Sequence, residues 1–402
     1  MVSRKRKFWT VLLIFLLAAL IVGGVFGISY YKGGVTFPWE VTTGQSEDET
    51  SQVAQQPEEP VVQEEPKPTK PEPVVEQEPE EAKEEEPREE KLQMLTSGKL
   101  DYFGPLHVED TKLVDKNGKP VRLVGISSHG INEFPQFVTA ESLKYLRESL
   151  GINLFRVAMY TSDYNGYCVA GDDNKKELKK VIDTAVNAAT ENDMYVIIDW
   201  HILFDNNPNE YKSEAIQFFG EMVRKYKGNE HVIYEICNEP NGDTTWEDIK
   251  QYANEVIPVI QSVDPAAVIL VGTPSWSSDL HSVLADPLEF DNIMYTYHFY
   301  AGTHKATQRE AFSDCAGELP VFVSEFGMVN ADGNGGVNKP ESKKWKELLE
   351  EYNISCAVWN LSNKDEGSAL IKADCTKTTD FTLEDLSDEA IEYLTWISEA
   401  AE

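Results

Sequence analysis

The chain has 402 residues and an uneven charge balance, 36 Lys and Arg against 69 Asp and Glu, for a net charge of -33. A molecule of that sign repels nucleic-acid phosphates and anionic membrane headgroups, so both drop out as binding partners of the folded part. Five cysteines, odd in number and without a C-x-x-C pair, make neither a disulfide framework nor a zinc or iron–sulfur ligand set.

The first element is a basic run, Arg4 to Lys7, followed by an uncharged stretch from Val11 to Tyr31. Its 21 residues match the roughly 20 that cross a bilayer as a helix and exceed the 7–15 of a typical signal-peptide core. The expectation for residues 1–34 is therefore an uncleaved transmembrane anchor, with its basic end in the cytoplasm and the rest of the chain on the outer face of the cell membrane. A cleaved signal ending near Gly27-Ile28-Ser29, which would release a secreted protein, is the alternative. Residues 35–96 read as a disordered acidic linker. Ser46 to Lys91 carries 17 Asp or Glu, 5 Lys or Arg and 8 Pro, which leaves too little apolar surface to offset the entropy of folding. Proline and like charges extend such a segment, so it suits a spacer, and the anchor is the only membrane contact expected.

Residues 97–402 are globular in composition and contain no second linker. Eight short apolar runs rich in Val, Ile and aromatics read as strands: Val121–Ser127, Asn153–Tyr160, Met194–His201, His231–Glu239, Val268–Pro274, Asn292–Tyr300, Leu319–Gly327 and Cys356–Leu361. Between them lie amphipathic stretches of helical length, among them Lys175–Asn192, Glu210–Lys227, Thr245–Val263 and Ser342–Tyr352, and Leu383–Ala401 closes the chain. Strand then helix, repeated to this length, predicts an α/β fold of the (β/α)8 TIM barrel type. Gly98–Asp115 with the Asn117-Gly118 turn reads as a small hairpin capping the closed end.

Barrel enzymes carry their chemistry at the C-terminal ends of the strands. Polar residues at those ends are Ser128-His129, Arg156 and Tyr160, Asp199 and His201, Asn238-Glu239, His298 and Tyr300, and Glu325, with Trp276 and Trp359 beside them. Either Glu239 or Glu325 alone could be a plain ion-pair partner of Arg156. Both at strand ends, expected to face one another across the mouth, point to the two carboxylates of a retaining glycosidase, spaced about 5–5.5 Å apart. Trp276 and Trp359 suit stacking on the apolar C–H faces of a pyranose, with packing of the barrel rim as the alternative. Strand alternation turns Trp200 outward into the core, and Cys237 reads as a buried small residue. Three strand-end histidines raise a metal-dependent barrel hydrolase as a rival, but the first strand supplies only His129 where His-x-His is usual. No metal and no cofactor is expected.

The runs FRVAMY, VIIDWH, YEICNEPNG, YTYHFYAG, FVSEFG and AVWNLSNKDEGSAL resemble glycoside hydrolase family 5, in particular its bacterial endo-β-1,4-glucanases, over residues 98–375. The resemblance implies Glu239 as general acid/base, Glu325 as nucleophile, Asn238 as the partner of the sugar 2-hydroxyl and Arg156 as the arginine beneath the nucleophile. It places His129, His201, His298, Tyr300 and Trp359 around the cleaved bond; Tyr160, from its strand-end position, and Trp276, as a sugar platform, are further substrate-binding candidates. Lys364 and Glu366 match polar contacts to a flanking glucose. The implied substrate is a β-1,4-glucan polysaccharide, and a monomer is expected. Mannan, xyloglucan or mixed-linkage glucan hydrolysis, and a non-catalytic carbohydrate-binding barrel, are the alternatives. Two positions depart from the family: Glu133 stands where a tryptophan is common, and Phe326 follows the nucleophile where Trp is frequent.

Overall fold

In this computed structural model, residues 100–400 are described. The anchor and linker expected over residues 1–96 lie outside the described residues. Among the described residues, no helix is long and apolar enough to cross a membrane.

A short antiparallel hairpin opens the described part, β1 (Leu106–Glu109) against β2 (Lys112–Asp115). Its turn is at Asp110-Thr111, with Asp110 in the left-handed region at φ 52°, a conformation that aspartate tolerates better than most residues. This corrects the expected turn: Asn117-Gly118 makes the next reversal, bringing Pro120 back against Val114.

Eight parallel strands follow: β3 (Val124–Ser128), β4 (Leu154–Tyr160), β5 (Tyr195–His201), β6 (Val232–Glu235), β7 (Val268–Val271), β8 (Ile293–Tyr300), β9 (Val321–Gly327) and β10 (Cys356–Leu361). They close into a barrel in the order β10-β3-β4-β5-β6-β7-β8-β9, the expected (β/α)8 arrangement. The helices between and after them are α1 (Ala140–Glu148), α2 (Asp172–Glu191), α3 (Lys212–Lys225), α4 (Trp246–Gln261), α5 (Leu280–Ala285), α6 (Ala306–Ala316), α7 (Lys339–Glu351) and α8 (Asp388–Ala400). Helices α1, α5 and α6 were not among the stretches read as amphipathic. α5 is too short to show a period, and α6 buries only Phe312, Cys315 and Ala316.

Period-two alternation sorts each strand between lumen and helix layer. On β5, Val196, Ile198 and Trp200 join the outer core while Tyr195 and Ile197 fill the lumen floor. The floor also takes Leu154, Ile233, Leu270, Met294 and Phe322, and Leu106 and Leu113 of the hairpin plug it from below. One step higher the lumen turns polar, with Ser127, Arg156, Asp199, Glu235, Thr296 and Ser324 all fully buried. The apolar floor therefore closes the bottom of the barrel and leaves a water-poor polar layer beneath the mouth.

β9 departs from alternation at one point. Its register against β8 jumps from Thr296↔Phe322 to His298↔Glu325, and against β10 from Cys356↔Val323 to Val358↔Phe326. One extra residue is thus inserted between Val323 and Phe326. A bulge of this kind re-aims side chains, and here it lets two consecutive residues, Ser324 and Glu325, both reach the interior.

Candidate active site

The centre of the polar layer is Arg156 on β4, fully buried. Its Nε donates to Glu235 Oε2 at 2.7 Å and its Nη2 to Glu235 Oε1 at 3.2 Å and Asn238 Oδ1 at 2.6 Å. Asp199 Oδ2 lies 3.0 Å from Nη2, and Nη1 donates to Glu325 Oε2 at 3.0 Å. A guanidinium presents a fixed fork of donors, so this one residue sets the positions of four side chains from three other strand ends. Burial alone would strip its charge, but Asp199, Glu235 and Glu325 more than offset that and hold the guanidinium firmly protonated.

Glu325 is clamped from both sides. Arg156 takes Oε2, and the Tyr300 hydroxyl donates to Oε1 at 2.8 Å. Glu239 stands beyond the end of β6 in a loop held on two sides: Asn238 N–H donates to Trp200 O, and Trp276 N–H donates to Pro240 O. Glu239 Oε1 lies 2.9 Å from His298 Nδ1. The ligating atoms of Glu239, His298 and Glu325 come within 4.8 Å of one another. That spacing would also suit a cation, but the donor set does not: Glu325 is committed to Arg156 and Tyr300, His298 to Glu239, and the adjacent guanidinium opposes a further positive charge.

The two carboxyls differ in proton affinity. Burial, together with Asp199 and Glu235 and against the opposing pull of Arg156, pushes Glu239 up to about 8. Burial and Glu239 also push Glu325 upward, but His298, Arg156 and His201 oppose the rise. At neutral pH Glu239 therefore holds its proton, while the donors Arg156 and Tyr300 favour the ionised form of Glu325. Burial holds His298 down to about 4 and His129 to about 3, so both imidazoles are neutral. His201 is neutral for the same reason. Its Nδ1 lies 2.6 Å from Asp199 Oδ2, and its Nε2 accepts from Asn238 Nδ2 at 3.2 Å.

Aromatic rings wall the mouth. Trp359 stacks on His201, with centroids 5.2 Å apart and planes 16° apart, and His129 is 5.2 Å from the same tryptophan. Tyr160 packs on His201 at 4.2 Å. Trp276 is 40% exposed on a left-handed turn, φ 56°, whose Ser277 hydroxyl donates to Asn238 O.

The Cellulase family model (glycosyl hydrolase family 5) matches residues 114–365, the span that carries every group just described. The chain belongs to glycosyl hydrolase family 5. Endoglucanase A of Butyrivibrio fibrisolvens is 58% identical over 99% of this chain and 95% of its own length. An endoglucanase of Clostridium saccharobutylicum is 45% identical over 72% of this chain and 64% of its own length. Among solved structures, the catalytic domain of a Thermobifida fusca endoglucanase superposes with a TM-score of 0.69 at 33% identity, covering 74% of this chain and 97% of that one. A variant of that catalytic domain was solved in complex with cellotetraose.

Of the residues singled out in the sequence, Glu239, Glu325, Arg156, Asn238, His201, His298, Tyr300, Tyr160, His129 and Trp359 converge on this family 5 site. Lys364 and Glu366 sit at its edge: Lys364 Nζ is 3.2 Å from His129 Nε2 and 2.8 Å from Glu366 Oε2. One expectation needs correcting. Glu239 and Glu325 are not diametrically opposed, because β6 and β9 are separated only by β7 and β8; their convergence depends on the loop after β6 and the bulge in β9. Trp200 and Cys237 are buried as expected, and all five cysteines are free. Phe326 faces the outer core, stacked on Trp396 at 5.5 Å, so it does not line the site. Glu133 is exposed, and Phe134 packs edge-on against His129 at 4.8 Å.

Three groups escaped the sequence reading. Glu235 looked like an interior residue of an apolar run, and Ser324 like its alternation-mate; neither carried a mouth signal. Phe204, 66% exposed, follows Leu203, whose carbonyl accepts from Asn241 Nδ2 at 2.7 Å. It therefore stands on the other loop pinned to the Glu239 segment, and only its position three residues past the strand-end His201 could have marked it.

Proposed function

We propose that this chain is a retaining endo-β-1,4-glucanase that hydrolyses internal bonds of cellulose and related β-glucans. The observation that carries the reading is the carboxyl pair itself: oxygens within 4.8 Å, one carboxyl protonated and the other clamped by Arg156 and Tyr300. An inverting enzyme needs about 6.5–9.5 Å to admit a water between the groups, whereas direct attack by one carboxylate needs about 5–5.5 Å.

Glu325 attacks the anomeric carbon while Glu239 delivers its proton to the leaving oxygen. Forming the ester removes the charge on Glu325, which lowers the proton affinity of Glu239 and converts it to the base that activates water. Asn238, fixed between Arg156 and His201, presents its amide to the 2-hydroxyl, where contacts strengthen as the ring flattens. Trp359 supplies a ring face beneath the sugar being cleaved, Lys364 and Glu366 hold the neighbouring glucose on the His129 side, and Trp276 stacks on the leaving side, next to Glu239. The protein acts as a monomer on the outer side of the cell membrane, tethered by residues 1–34 through the acidic spacer, or is secreted if the signal is cleaved.

The test pairs product stereochemistry with substrate choice. Proton NMR of the nascent products should show the β-anomer first, and carboxymethylcellulose should be cleaved faster than mannan, xyloglucan or mixed-linkage glucan. An initial α-anomer would exclude double displacement, and a preference for mannan would move the enzyme to another β-glycanase activity of the family.

A further inference from the structure

Behind the acid lies a buried chain of hydrogen bonds that the mechanism above does not use. His298 Nε2 is 2.9 Å from Ser324 Oγ, and the Ser324 hydroxyl donates to Glu235 Oε1 at 2.6 Å. Glu235 receives both Nε and Nη2 of Arg156. His298, Ser324 and Glu235 are each at most 2% exposed, so no solvent intervenes.

The directions of these bonds follow from counting hydrogens. A serine hydroxyl has one, and Ser324 gives it to Glu235, whose carboxylate is fixed by the guanidinium. The contact from His298 Nε2 to Ser324 must then be donated by the imidazole. A neutral imidazole carries a single N–H, so Nδ1 presents a lone pair to Glu239. The 2.9 Å contact from Nδ1 to Glu239 Oε1 is a hydrogen bond only when Glu239 holds its proton.

We propose that Ser324 and Glu235 are positioning residues that fix His298 in the Nε2–H tautomer, so that it accepts from Glu239 and holds the acid in its protonated form. Without them the ring is free to turn its N–H toward Glu239, which stabilises the carboxylate instead and lowers the proton affinity of the acid. The bulge in β9 is what makes the device possible, because it turns Ser324 inward beside Glu325 without displacing it. The other ionisable groups facing Glu239 and His298 are Arg156 from β4, Asp199 and His201 from β5, Tyr300 from β8, Glu325 from β9 and Tyr160 across the mouth. None of them contacts His298 Nε2, although Glu235 Oε1 lies 4.0 Å from it.

This inference rests on the reading of Glu239 as the acid, and the experiment separates the two. Ser324→Ala is assayed on cellotetraose, whose leaving group needs protonation, and on 2,4-dinitrophenyl cellobioside, whose leaving group does not. The alkaline limb of kcat/KM for cellotetraose should move down by about one pH unit, the weight of one lost hydrogen bond. At pH well above that limb, kcat/KM for cellotetraose should fall on the order of tenfold, while the dinitrophenyl substrate changes less than about threefold. Ser324→Thr, which keeps the hydroxyl, should restore the limb. Equal losses on both substrates with an unmoved limb would mean that Ser324 only supports the fold, and would overturn the proposal. Nitrogen-15 NMR of the unmodified protein needs no variant to fold: His298 should show a bare Nδ1 and a protonated Nε2, and the opposite tautomer would also overturn it. If Glu239→Ala does not lower kcat/KM for cellotetraose far more than kcat/KM for the dinitrophenyl substrate, the assignment of the acid falls first.

Discussion

Tyr300→Phe removes one atom from the clamp on Glu325 and leaves the ring in place. The lost contact is the 2.8 Å bond from the hydroxyl to Oε1, between two buried side chains. A buried hydrogen bond to a charged group contributes about 1.5–3 kcal/mol. One pH unit corresponds to about 1.4 kcal/mol, so full loss would raise the proton affinity of Glu325 by about 1–2 units. Arg156 keeps its 3.0 Å grip on Oε2, which favours the lower figure. Because Glu325 must be ionised to attack, and losing a donor to the ionised form raises its pKa, the acidic limb of kcat/KM should move to higher pH. The expected result is an upward shift of about one unit, and so a fall in kcat/KM on the order of tenfold on the acidic side of the limb, read on 2,4-dinitrophenyl cellobioside across the pH range. Thermal unfolding by circular dichroism checks that the variant is folded. A folded Tyr300→Phe enzyme with an unmoved acidic limb would refute the clamp as a determinant of the charge on Glu325.

Two further predictions follow from groups outside the clamp. Glu389 on α8 is fully buried; its Oε1 accepts from Met328 N–H at 2.6 Å, its Oε2 has no partner, and burial pushes it up to about 8. A carboxyl whose folded pKa is raised stabilises the fold fully below its unfolded value and loses that contribution as pH rises through about 8. The Tm of the wild type should thus decline from about pH 4.5 to 8, and Glu389→Gln should flatten that slope; an unchanged slope would refute it. Phe204→Ala should raise KM for cellohexaose several-fold more than for cellotriose, since an exposed ring beside the acid loop meets only chains long enough to extend past Glu239 on the leaving side. Equal KM changes on both substrates would show that Phe204 meets no sugar there.

The strands were legible because parallel strands buried on both faces read as continuous apolar runs. Met194–His201 and Asn292–Tyr300 each matched an observed strand to within a residue at the start, and Cys356–Leu361 matched at both ends. β6 stopped short, at Glu235 instead of Glu239: past it only single bonds to the neighbouring strands remain, Ile236 N–H to Leu270 O and Asn238 N–H to Trp200 O, and the chain carries Asn238 and Glu239 over the mouth. Glu235 and Ser324 were hidden for a related reason. Ser324 turns inward only through the bulge in β9, which breaks alternation, and Glu235 lies within an apolar run, short of the strand end where mouth residues are sought. The exposed loops after β5 and β7 carry no period at all, so Phe204 was invisible and Trp276 rested on residue type alone.

The central claim is a covalent glycosyl-enzyme on Glu325. Incubation with a 2-deoxy-2-fluoro cellobioside bearing a dinitrophenyl leaving group, followed by peptide mass spectrometry, tests it directly. A sugar adduct on the peptide containing Glu325, absent in Glu325→Gln, is the predicted result. Turnover of natural substrate with no adduct, or an adduct on another side chain, would contradict the account.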